Sequence, residues 1–95
     1  MPELLFRVHA LRRMFERGIT ADEVRTTIEQ GRTISDYPDD KPYPSRLILH
    51  ATDRRVLHVV AADADAEDTG QTVIITVYEP NPALWSDDFT ERRSP

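Results

Sequence analysis

His9, Arg13 and Arg17 are spaced four apart, so any helix that spans them stacks an imidazole and two guanidiniums along one edge. Imidazole titrates near neutral pH, and guanidinium is a fixed cation with paired donors. The set suits holding a phosphate and moving a proton beside it. The plain alternative is a solvated, Arg-rich face closed by a glutamate salt bridge. At about 100° per residue, Ala10, Leu11, Met14 and Phe15 fall on one side of such a helix. His9, Arg12, Arg13, Glu16 and Arg17 fall on the other.

Further candidates lie on apolar, β-prone segments, and parity decides which way they face. If 46–51 and 56–61 form a hairpin with an odd-length loop, Leu47, Leu49 and Ala51 share a face with Leu57, Val59 and Ala61. An even loop mixes histidines and aliphatics equally on both faces. The odd register gives the cleaner apolar face for helices to cover, although the glycine usual in a three-residue loop is missing. In segment 72–78, Val73, Ile75 and Val77 make the apolar set. The opposite face then gathers Arg46, His50, His58, Thr76 and Tyr78, with His9 and Arg13 joining from the helix rim. His9, His50 and His58 lack the short spacing of metal motifs and have no acid fixed nearby, so no metal and no cofactor is expected.

These residues need elements to position them. Leu4–Val8 is short and β-prone, an edge strand or an extended lead-in. The first helix runs from about His9 to Arg17 and stops at Gly18. Thr20-Ala-Asp-Glu23 has the form of a capping box, with Ile19 and Val24 as its hydrophobic staple, and opens a second helix that ends at Gly31. Residues 32–37, 46–51, 56–61 and 72–78 read as strands, the last as the central one. Residues 38–44, with three prolines, read as a rigid loop, and the acidic stretch 62–71 as a linker. Asn81-Pro82 opens a short turn that folds Leu84, Trp85 and Phe89 back as a lid. The order predicts one α+β domain over 1–95, with 1–5 and 92–95 frayed. Two N-terminal helices pack on one face of an antiparallel sheet of about four strands. Ile75, Val77, Leu57, Val59, Leu11, Met14, Phe15, Val24 and Ile28 are the expected core.

Composition sets the outer bounds. The chain has 95 residues, a net charge of −5 and no cysteine, which excludes a disulfide framework and thiolate metal sites. An acidic chain lacks the footprint for non-specific nucleic-acid binding, so an anion site must be local. Residues 1–32 hold six arginines against five acids, which places it near the first helix. With no apolar run long enough for a bilayer and no leader segment, the cytoplasm is the expected compartment and no membrane contact is expected.

His9-Ala10, Arg13-Met14, Glu16-Arg17-Gly18-Ile19, His58-Val59-Val60, Thr76-Val77-Tyr78 and Pro80 through Trp85 together resemble the domain-of-unknown-function family 4258, from about residue 6 to 93. Its members resemble small bacterial toxins of the RelE, BrnT and MqsR kind, often encoded beside a zinc-ribbon antitoxin. The resemblance implies a RelE-like fold and a metal-independent endoribonuclease acting on mRNA, with an antitoxin partner. In that chemistry a ribose 2′-OH attacks the adjacent phosphorus while a base, an acid and cations assist. His9, His58 and Tyr78 are then the catalytic candidates, and Arg13, Arg17, Arg46 and Thr76 the substrate-binding ones. Lys41, alone in a loop, argues against a lysine-based mechanism. The rival reading is a non-catalytic binding module that uses the open sheet face for a protein partner.

Overall fold

A computed structural model describes residues 3–63 and 70–93. The elements are β1 (Glu3–Phe6), α1 (Val8–Arg17), α2 (Ala21–Gln30), β2 (Arg32–Tyr37), β3 (Ser45–Ala51), β4 (Val56–Asp63) and β5 (Gln71–Tyr78). The sheet order is β1-β5-β4-β3-β2, five strands with β1 parallel to β5 and the remaining pairs antiparallel. The expected four-strand antiparallel sheet therefore gains a parallel edge. Glu3–Phe6 pairs with Gln71–Ile74, so the stretch from Leu4 read as an edge strand or lead-in is an edge strand, and residues 3–5, expected to fray, are paired. Its central strand is β4, while β5 stands one in from the edge. The acidic stretch 64–69 lies outside the described residues.

The helical hairpin follows local chemistry closely. Gly18, at φ 64°, ends α1 in the left-handed conformation that glycine tolerates. The Thr20 hydroxyl accepts from Glu23 N at 3.1 Å, and Glu23 Oε1 accepts from Thr20 N at 3.0 Å. Ile19 and Val24 are both buried, as a staple requires.

The helix-side core joins Ala10, Met14, Ile19, Val24, Ile48, Leu57, Val59, Ala61, Ile74 and Val77, with Ile28 packed at its margin. Leu11 and Phe15, expected within it, face outward, and Phe15 is 91% exposed. The reason is a rotation of α1. The buried line runs through Ala10 and Met14, and the next residue after each lies about 100° further round. Small Ala10 at the centre of the line lets the helix lie close to β5, which leaves no room for Leu11 and Phe15 on the same side. Ile75, also expected in the core, is half-buried. It falls at a β-bulge, where Val60 stands opposite Thr76 but Ala61 opposite Ile74.

The β3–β4 register is the even one. Leu47 pairs with Val60, Ile48 with Val59, Leu49 with His58, His50 with Leu57. The turn is Thr52–Arg55, and the Thr52 hydroxyl accepts from the backbone N of Arg54 and Arg55. A threonine that satisfies the turn's own donors removes the need for glycine and permits four residues. One consequence is that Arg46 and His50, paired with Ala61 and Leu57, fall on the helix side. His58 falls on the other side, where Leu47, Leu49 and Trp85 form a second buried patch.

Candidate functional site

Among the described residues, β5 has no strand beside it on the β1 side beyond Ile74, because the β1 pairing ends at Phe6–Ile74 and the chain turns into α1. A groove of about 280 Å³ occupies that position. Arg13 and Arg17 come from α1, Thr76, Tyr78 and Glu79 from β5 and the residue after it, and Leu84, Trp85 and Arg92 from the C-terminal turn. The α1 rotation that exposes Phe15 is also what aims these arginines. Arg13 lies about 60° from Ala10 and Arg17 about 60° from Met14, toward the sheet, whereas His9 lies about 100° from Ala10.

Four of the seven sequence-derived site residues meet here: Arg13, Arg17, Thr76 and Tyr78. His9 is exposed in the first turn of α1 and does not line the groove. Arg46 is at the far end of the sheet, where Nη1 pairs with Asp63 Oδ2 at 2.9 Å. His50 lines a separate hollow beside Asp22, Glu23, Thr26 and Thr27 of α2. The open-face constellation of Arg46, His50, His58, Thr76 and Tyr78 thus separates, because the even hairpin register sends two of its members to the helix side.

His58 lies under the C-terminal turn and has no solvent exposure. Its Nε2 is 2.9 Å from the Phe89 carbonyl oxygen and its Nδ1 is 3.2 Å from the Tyr78 hydroxyl. The ring meets Trp85 edge-on at 4.4 Å and Tyr78 at 5.2 Å between centroids. Burial pushes its proton affinity down against the opposing pull of the Phe89 carbonyl. Phe89 holds φ 62°, a conformation that costs a non-glycine residue about 1 kcal/mol or more. It is held by its carbonyl contact to His58 and by its N–H, which donates to Ser86 O at 2.8 Å. Asp88 braces the same turn by accepting from Ser86 Oγ, Thr90 Oγ1 and Thr90 N. These bonds bring its carboxyl down to about 2. Of the lid expected from Leu84, Trp85 and Phe89, Trp85 is buried and Phe89 half-buried while Leu84 stays exposed, and Asn81 Oδ1 accepts from Ala83 N to start the turn.

Charge in the groove is one-sided. Among the described residues, no carboxylate is within salt-bridge distance of Arg13, Arg17 or Arg92. Glu79, the acid in the lining, gives Oε1 to Arg55 Nη1 at 3.0 Å. Arg55 also binds Glu23 Oε2 at 3.2 Å, the Arg17 carbonyl at 3.2 Å and the Gly18 carbonyl at 3.4 Å. It ties both helices to the ends of β4 and β5 and sets where α1 ends over the groove. Arg92, expected in a frayed tail, forms a bridge with Trp85 and lies 5.6 Å over its ring. Neither Arg55 nor Arg92 carries a sequence signal, since both roles depend on contacts far along the chain. Tyr78 is held above its ordinary phenol value chiefly by burial and then by Tyr37, with Arg92 pulling the other way.

Chemically the groove offers fixed cations for an anion, an indole and a phenol for a flat ring, and hydroxyls for proton exchange. Among the described residues, no group of three or more His, Cys, Asp or Glu side chains is arranged to hold a metal ion. No described helix is long and apolar enough to cross a membrane.

Neither the curated proteins nor the solved structures give a match to this chain. A family profile does match, over residues 6–79, under the description Domain of unknown function (DUF4258). The match contains Arg13, Arg17, His58, Thr76 and Tyr78 and ends before the C-terminal turn, short of the residue 93 expected from the sequence. With more than half its length matched, the chain belongs to the DUF4258 family.

Proposed function

We propose that this chain is a metal-independent endoribonuclease acting on mRNA, the toxin of a bacterial toxin–antitoxin pair with a RelE-like fold and a zinc-ribbon protein partner. The observation that carries the reading is the convergence of Arg13, Arg17 and Arg92 with Tyr78 and Trp85 in one groove, its acid Glu79 engaged elsewhere. Among the described residues no carboxylate pairs with these cations, which suits them to a phosphodiester, and aromatic faces receive an unstacked base. A local site of this kind also reconciles anion binding with a net charge of −5. In this reading Arg13 and Arg17 hold the scissile phosphate, Arg92 and Trp85 receive the neighbouring nucleotide, and Tyr78 is the proton-handling group. His9 leaves the catalytic set.

The test is incubation of the purified, partner-free protein with single-stranded RNA in the presence of a chelator. Cleavage leaving a 2′,3′-cyclic phosphate end is expected, reduced at least about tenfold in an Arg13→Ala/Arg17→Ala double variant. RNA left intact by the wild type, or cut equally by the double variant, overturns the reading. The second reading is a non-catalytic binding module, and Val8, Leu11 and Phe15 favour it as an exposed apolar stripe on α1. That stripe takes the place of the open sheet face, where Trp85 and the C-terminal turn lie over His58. Intact RNA together with loss of partner binding in Phe15→Ser would favour this reading over the enzymatic one.

A further inference from the structure

The hydrogen-bond partners of His58 dictate which way the Tyr78 hydroxyl points. A backbone carbonyl only accepts, so the Nε2 atom facing Phe89 O at 2.9 Å carries the ring proton. A buried imidazole surrounded by Trp85, Tyr78 and backbone stays neutral, so Nδ1 bears a lone pair. The Tyr78 hydroxyl, 3.2 Å away, must donate to it. A phenol has one proton, and here it is committed inward. What Tyr78 can present to the groove it lines is an oxygen that accepts.

The rest of the lining makes this acceptor selective. Arg13, Arg17 and Arg92 only donate. Asn81 Oδ1 is used by Ala83 N and Glu79 Oε1 by Arg55. The Thr76 hydroxyl can turn to either role and the second Glu79 oxygen is anionic, so the neutral acceptor held in one orientation is the Tyr78 oxygen, beside a cluster of donors suited to phosphate oxygens. A ligand that fits both is a phosphodiester with a hydroxyl donor beside it, and the 2′-OH is what distinguishes a ribonucleotide from a deoxyribonucleotide.

We propose that Tyr78 is the residue through which the groove selects ribose over deoxyribose, and that His58 is a positioning residue that holds the Tyr78 oxygen as an acceptor for the 2′-OH. The proposal rests on the nucleic-acid reading of the groove and adds to it a specificity determinant. A site that demands a hydrogen-bond donor discriminates against the analogue lacking it, because its acceptor is otherwise left unpaired.

The experiment compares three fluorescent single-stranded oligonucleotides of one sequence: RNA, 2′-fluoro RNA, whose sugar has no donor, and DNA. Affinities are read by stopped-flow anisotropy in chelator, from association and dissociation over the interval in which a gel shows the RNA still whole. Wild type is expected to bind RNA about five- to tenfold tighter than the other two. Tyr78→Phe should collapse that ratio to within about twofold. His58→Phe keeps a ring against Trp85 but removes Nδ1, and it should lower the ratio although Tyr78 is still present. A histidine that merely fills space would leave the ratio unmoved. If wild type binds the three equally while Arg13→Ala/Arg17→Ala weakens all of them, the proposal fails and the phosphate groove stands. A preference that survives Tyr78→Phe overturns it as well. If none of the three binds, or the arginine variant weakens none, the nucleic-acid reading itself fails and takes the proposal with it.

Discussion

Gly31→Ala is expected to destabilise the protein for a reason found in packing and not in backbone angles. Gly31 ends α2 at φ −76° and ψ 177°, angles open to any residue. A Cβ built there would stand 2.5 Å from the Thr27 carbonyl oxygen, 2.7 Å from the Leu49 carbonyl oxygen and 2.8 Å from Ile48 Cγ2. Ordinary contact for such atoms is about 3.5 Å. The three neighbours belong to α2 and β3, so the new methyl cannot retreat from one without pressing another. The Gly31 N–H also donates to Thr27 O at 2.9 Å, which anchors the backbone in place. Overpacking of this kind costs about 1–3 kcal/mol, and the narrower unfolded ensemble of alanine returns about 0.4–1 kcal/mol. The net loss is about 1–2 kcal/mol, or a Tm lower by about 5–15 °C for a domain of this size. Thermal melts by circular dichroism, with a urea titration to show an unchanged slope, measure it. A variant that melts within about 2 °C of wild type, or above it, refutes the argument that close approach of α2 to β3 demands glycine here. Gly18 is the opposite case: nothing lies within 4 Å of an added Cβ, and φ 64° alone favours glycine.

Two further outcomes test the rotation of α1 and the burial of His58. Met14→Ala should cost about 2–4 kcal/mol in a urea titration, while Phe15→Ala, at a side chain 91% exposed, should change stability by less than about 0.5 kcal/mol; the reverse order would restore the orientation expected from periodicity alone. His58 is held below its ordinary value of 6.5 by burial, so below that pH the unfolded chain binds more protons than the folded one. The stability it contributes is complete above pH 6.5 and is lost as pH falls through the folded value, so Tm should decline from pH 6.5 toward 5 in wild type and stay flatter in His58→Phe; parallel curves for the two proteins would contradict this.

The parts of the fold that were readable are those encoded within a few residues. The capping box at Thr20–Glu23, the glycine stop at Gly18, the β-branched run of β5 and the turn at Asn81 each carry their physics locally. What escaped depends on which surface a segment meets. The apolar count on α1 favoured Leu11 and Phe15 as core, but the helix sits on Ala10, and no sequence rule signals that the smallest residue marks the closest approach. The hairpin register turned on Thr52, whose hydroxyl closes a four-residue turn where a glycine-based rule anticipates three. That one-residue difference moved His50 and His58 to opposite faces, and with them the expected cluster. β1 was ambiguous because an edge strand of four residues acquires its state from β5.

The arginines of the groove are legible in the sequence, whereas the placing of the histidines is not. Arg13 and Arg17 were found because a step of four on a helix is a sequence property, and the same step of about 40° per four residues carries His9 progressively away from the sheet. His9, spaced with the two arginines in the sequence, is therefore exposed and outside the groove lining. His58 is the better placed of the two, yet it reaches the groove only through Tyr78. Its own environment comes from residues 78–89, which lie 20 to 31 positions away. A functional assignment based on side-chain type alone would replace His9 and expect a catalytic loss. Arg13, Arg17 and Tyr78 line the groove, so under the ribonuclease proposal they are the residues to replace: the arginine variant should weaken RNA binding, and Tyr78→Phe should slow cleavage at saturating RNA.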